Sequence, residues 1–71
     1  MTVDELTRQT LYRHEDWQRV YDHCAKRDLL DQWDSLAEQC ARKGLSPDMA
    51  HAMIDMVHNG TVVYHQPWLA P

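Results

Sequence analysis

The sequence predicts an all-α fold, a small bundle of three to four short helices followed by an extended C-terminal tail. The main evidence is a pattern that occurs twice, in residues 17–27 and 33–43. Each copy has a tryptophan, an aliphatic residue three positions later, an acid at five, Cys-Ala at seven and eight, and two bases. Positions three, four and seven apart share one helix face. The repeat therefore predicts two successive helices with matching apolar stripes.

The length of 71 residues predicts one small domain, residues 1–71. A domain near this size buries only about 60% of its unfolded surface, so its stability depends on dense packing or on outside help. The chain offers three Trp and three Tyr for such packing. A homodimer would be another source of burial.

The first helix is predicted over residues 3–12, because Thr2 and Glu5 match a capping box at its start. The polar residues around position 13 indicate a break. A second helix is then expected over residues 14–27, with acids in its first turn and bases in its last turn, as the helix dipole favours.

Asp28 is expected to be the N-cap of a third helix, residues 29–43, and Gly44 to end it in the left-handed conformation. Ser46 followed by a proline then predicts the start of a fourth helix, residues 47–58. Its apolar face is predicted to consist of Met49, Ala52, Met53, Met56 and Val57.

The tail, residues 61–71, is apolar but contains two prolines, which argues against a central strand. Two hypotheses remain for it: the tail folds back over the helices, or it adds to a partner as an extended strand. The candidate partner-binding residues are Val62, Tyr64, Trp68 and Leu69 in the tail, with Met49 and Met53 on the fourth helix.

Three polar side chains, His51, Asp55 and His58, share the other face of the fourth helix. They are candidate metal ligands or a pH-sensitive patch. No paired spacing such as Cys-x-x-Cys completes a four-ligand zinc site, so we expect a solvated face and no metal or other cofactor. The two cysteines are expected to be buried free thiols.

Charge and composition exclude several function classes. The net charge is −4, and all seven bases lie between Arg8 and Lys43. The fourth helix has no base, so direct DNA binding by that helix is disfavoured. The chain has neither an apolar run of membrane-spanning length nor a secretory signal, and its two cysteines fit a cytoplasmic location.

The sequence contains no glycine-rich phosphate loop and no nucleophile motif, so we expect a protein that is not an enzyme. The leading hypothesis is a small acidic interaction module, an inhibitor or adaptor that docks on a larger machine such as a polymerase or nuclease. The alternative is a nucleic-acid-associated regulator that uses the bases of the first half. A third hypothesis is a metal- or pH-responsive switch through the histidines of the fourth helix.

Overall fold

The computed structural model describes residues 1–60 as four α-helices and one 3₁₀ turn. The elements are α1 (Val3–Gln9), α2 (His14–Lys26), the 3₁₀ turn (Leu30–Gln32), α3 (Trp33–Lys43) and α4 (Pro47–His58). The described range contains no strand, and the all-α prediction is confirmed. The hypotheses for the tail concern residues outside that range.

One apolar core joins all four helices, and α2 packs chiefly against α4 and α1. The tryptophan, aliphatic and cysteine residues of both copies of the repeated pattern lie in this core, so the repeat reflects helix packing. The buried apolar residues are Leu6 from α1; Trp17, Val20 and Cys24 from α2; Trp33, Leu36, Ala37 and Cys40 from α3; and Ala50 and Ile54 from α4.

Each core tryptophan satisfies its indole N–H with a hydrogen bond, as a buried donor requires. Trp17 Nε1 donates to the Thr10 hydroxyl at 2.8 Å, and Trp33 Nε1 donates to the Met1 carbonyl at 2.7 Å. The first bond accounts for a difference from the prediction: α1 ends at Gln9 instead of residue 12. Thr10 is extended, with φ −128° and ψ 173°, and its hydroxyl lies within reach of the Trp17 indole.

Asp28 is not the N-cap of the third helix, so that prediction is wrong. It ends α2 instead, in the left-handed conformation with φ 58°. The Leu29 amide donates to the Cys24 carbonyl and the Asp28 amide to the Ala25 carbonyl, both at 3.0 Å, which is a Schellman motif. This turn lays Leu29 against the core. The third helical segment therefore begins later, with the 3₁₀ turn.

A glycine at position 28 is expected to stabilise the domain. A left-handed conformation costs a residue with a Cβ roughly 1–2 kcal/mol, of which aspartate recovers a part by local hydrogen bonding. Asp28→Gly should therefore raise the free energy of unfolding by up to about 1 kcal/mol in urea denaturation.

The matched control is Gly44→Ala, at the end of α3. Gly44 has φ 68°, and a Cβ built there meets no atom within 4 Å. Any loss of stability in Gly44→Ala would therefore come from the left-handed backbone conformation and not from a steric clash. The two substitutions should shift the denaturation midpoint in opposite directions. A loss of stability in Asp28→Gly would contradict the conformational explanation.

The turn between α3 and α4 follows the sequence prediction. The Leu45 amide donates to the Cys40 carbonyl at 3.1 Å after the left-handed Gly44, and Leu45 packs against the core. The Ser46 hydroxyl accepts a hydrogen bond from the Met49 amide at 3.1 Å, with a proline in the first turn. Local capping thus defines where α4 begins.

The apolar face predicted for α4 is wrong, because the helix is rotated about its axis relative to that prediction. Ala50 and Ile54 are buried, and Met53 and Val57 are only partly buried against the same core. The outward side carries Met49, 51% exposed, and Met56, 41% exposed, with Ala52 also exposed. This rotation turns part of the predicted polar face toward α2.

Candidate functional site

Three side chains meet where α4 packs on α2: His23 from α2, and His51 and Asp55 from α4. His23 Nε2 donates a hydrogen bond to Asp55 Oδ1 at 2.8 Å, and His51 Nδ1 lies 3.8 Å from Asp55 Oδ2. The two imidazole rings are stacked, with centroids 3.7 Å apart and planes 14° from parallel. We call these three residues the histidine cluster.

The histidine cluster is half-buried. The exposed fractions of the side chains are 14% for His23, 41% for Asp55 and 45% for His51. The hydrogen bond from His23 lowers the pKa of the Asp55 carboxyl, and the charge of Arg27 acts in the same direction. Arg27 Nε lies 3.6 Å from Asp55 Oδ1, so the carboxylate faces one guanidinium and two imidazoles.

The three predicted metal-ligand candidates do not all lie together in the structure. His51 and Asp55 come together as expected from their spacing, but they face α2 and are not fully solvated. His58 is exposed and lies outside the cluster. His23 was not predicted as a member of this cluster, because periodicity on one helix gives no information about which residue of another helix faces it. The one indication in the sequence was that His23 lies next to Cys24, at the border of the apolar stripe of α2.

A shallow groove lies beside the cluster, between α2 and the start of α4. Its volume is about 190 Å³. His51 belongs to both the groove and the cluster, so the cluster has an approach from solvent. The other lining residues are mostly polar: Tyr12, Asp16, Arg19, Val20, Ser46, Pro47 and Asp48.

The outward side of α4 is the second feature of interest. We call Met49, Ala52 and Met56 the methionine face; these residues are exposed and follow one another at intervals of three and four. Met53, also predicted to bind a partner, is half-buried and packs against the core. The tail candidates Val62, Tyr64, Trp68 and Leu69 lie outside the described residues.

The two cysteines offer little reactivity. Cys24 and Cys40 are free and buried, as expected. Burial raises the pKa of Cys24 to about 11 and that of Cys40 to about 12. Since the thiolate is the nucleophile, both groups are poor nucleophiles near neutral pH.

The bases of the first half are exposed, and three of them lie near carboxylates. Arg13 lies 2.8 Å from Glu15, Arg27 lies 3.6 Å from Asp55, and Arg42 contacts Glu38. These acids reduce the positive potential that a phosphate backbone would meet.

Each helix within residues 1–60 is too short or too polar to span a membrane. Comparison of the chain with protein-family models, curated proteins and solved structures gave no match.

Proposed function

We propose that this protein is a small non-enzymatic interaction module that docks on a larger protein and acts as its inhibitor or adaptor. The methionine face of α4 carries this proposal. Met49 and Met56 present large apolar side chains to solvent on a helix whose inward side is already packed against the core. Single exposed apolar residues are ordinary, but a row of them along one helix face is typical of a helix that enters a partner groove.

Methionine suits such a role because its unbranched thioether side chain adapts to the shape of a partner. The methionine face also has acidic surroundings: Asp48 adjoins Met49, α4 has no base, and the chain carries a net charge of −4. A partner that fits this face therefore has an apolar groove with basic residues at its rim. Opposite charges at the rim would speed the encounter and fix its orientation.

The low reactivity of the two cysteines supports a non-enzymatic role. Cys24 and Cys40 are buried with raised pKa values, and the hydroxyl of Ser46 caps α4. Free thiols favour a cytoplasmic location for the module. Ion pairing of three of the bases makes a nucleic-acid-associated role the less favoured alternative.

The test is an affinity pull-down from host lysate with the full chain as bait, with and without nuclease. We expect a stoichiometric protein partner that survives nuclease and is lost from the Met49→Glu/Met56→Glu double variant. Charges placed at the centre of an apolar contact remove its burial and leave buried charge unpaired.

The matched control is Leu30→Glu, since Leu30 is an exposed leucine, 44% accessible, on a different element. It should retain the partner. Partner capture by the double variant at the wild-type level would refute the proposal, and loss of every band after nuclease would favour the nucleic-acid alternative. Light scattering of the isolated chain separates self-association from binding of a different protein.

A further inference from the structure

We propose that the histidine cluster is a binding site for one divalent transition-metal ion, with zinc as the representative ion. Its ligand atoms would be one ring nitrogen each from His23 and His51 and a carboxylate oxygen of Asp55. These atoms all lie within 4.8 Å of one another. The site is separate from the methionine face and does not depend on the function proposed for that face.

The donor set matches the chemistry of zinc and its neighbours. Imidazole nitrogen and carboxylate oxygen are both common zinc ligands, at about 2.0–2.2 Å from the ion. Softer ions that demand thiolate, and hard ions that demand only oxygen, fit these three donors less well. The candidate ions are therefore Zn²⁺, Co²⁺ and Ni²⁺.

Binding requires the two stacked rings to rotate apart, because each ring nitrogen directs its lone pair in the plane of its ring and the two planes are only 14° from parallel. Two ligands at bonds of about 2.1 Å lie at most about 4 Å apart across one ion. His23 Nε2 lies 2.8 Å from Asp55 Oδ1 and His51 Nδ1 lies 3.8 Å from Asp55 Oδ2, so each histidine is within that limit of a different carboxylate oxygen. The three ligand atoms of the site lie within 4.8 Å of one another, so the side chains must close on the ion. The ion would replace the proton that His23 now shares with the carboxylate.

The backbone holds these three residues side by side without the ion. His51 and Asp55 are four residues apart on α4, one turn of a helix, so both face the same side. His23 comes from α2, which packs on α4. A bound ion would thus join two helices that already contact each other, and binding would stabilise the fold.

Partial exposure makes the site an exchangeable one. Three protein ligands leave a coordination position for water, and the groove that His51 lines provides an approach for the ion. Arg27 opposes binding, because its guanidinium lies 3.6 Å from Asp55. Removing that charge is therefore expected to tighten binding.

The experiment titrates Zn²⁺ into the chelator-stripped full chain by calorimetry and follows thermal melting in parallel. We expect one ion per chain and a rise in Tm, on the order of 10 °C at about a hundredfold excess over Kd. Removing even an outer partner of a metal ligand lowers affinity about 10–100-fold, so His23→Gln and Asp55→Asn should each weaken binding at least tenfold. Arg27→Gln should tighten it by about threefold or more.

The control variant replaces His14, His58 and His65 together by glutamine and should bind like the wild type. The prediction for Arg27→Gln is a gain of affinity, which misfolding of the variant cannot produce. Absence of binding, binding that His23→Gln leaves unchanged, or loss of binding in the control variant would each overturn the proposal. A fall in Tm would also overturn it, because that would mean the ion binds the unfolded chain, for example through its thiols.

Discussion

Trp17→Ala is expected to unfold most of the protein at room temperature. Trp17 is fully buried between the helices, and its indole N–H binds Thr10 in the connection from α1 to α2. Truncation of a buried tryptophan costs about 3–5 kcal/mol, and a core of this size supplies only about 3–5 kcal/mol of stability. Urea denaturation followed by circular dichroism would show the loss. Trp33→Ala, at the matching position of the repeat, is expected to do the same.

Tyr12→Ala is the appropriate control. Its ring packs edge-on against Trp17, with centroids 5.9 Å apart, but Tyr12 is 39% exposed. Its removal should cost about 1 kcal/mol and leave a cooperative transition. A cooperative melt of Trp17→Ala at the wild-type temperature would show that this tryptophan is not the centre of the core.

Ile54→Ala is also expected to destabilise the protein strongly. Ile54 is fully buried and is the largest side chain that α4 contributes to the core. Truncation of a buried isoleucine costs about 2–5 kcal/mol, depending on how far the neighbouring side chains close the cavity. The free energy of unfolding from urea titration measures it directly.

Met56→Ala on the same helix supplies the comparison, because Met56 is 41% exposed. Its effect should stay within about 0.5 kcal/mol, as for most surface substitutions. If Met56→Ala lowered the free energy of unfolding more than Ile54→Ala, the methionine face would be the inward side of α4. That result would also remove the basis for the proposed docking surface.

The sequence was sufficient for the all-α fold class and for several of the helix ends, because those ends depend on neighbouring residues. Thr2 and Glu5 form the predicted capping box, and Ser46 caps α4 as predicted. Asp28 was misassigned because aspartate suits both an N-cap and a left-handed turn. What decides between them is Leu29, whose packing against the core requires the turn.

The rotation of α4 could not be predicted from periodicity. This helix is apolar on most of its circumference, so two stripes are possible: one with Met49 and Met56, and one with Ala50 and Ile54. Small Ala50 and compact Ile54 lie inward, and that choice is made by tertiary packing, chiefly against α2. The histidine cluster follows from the same choice, since it depends on which side of α4 meets His23.

The packing of α4 on α2 is the central claim, because the methionine face and the histidine cluster both depend on it. The most direct measurement is a nuclear Overhauser spectrum of the metal-free protein, with the ring protons of His23 and His51 assigned. The stacked rings, 3.7 Å between centroids, should give cross-peaks between the two imidazoles. Absence of these cross-peaks, in a spectrum that shows the contacts within each helix, would contradict this arrangement of α2 and α4.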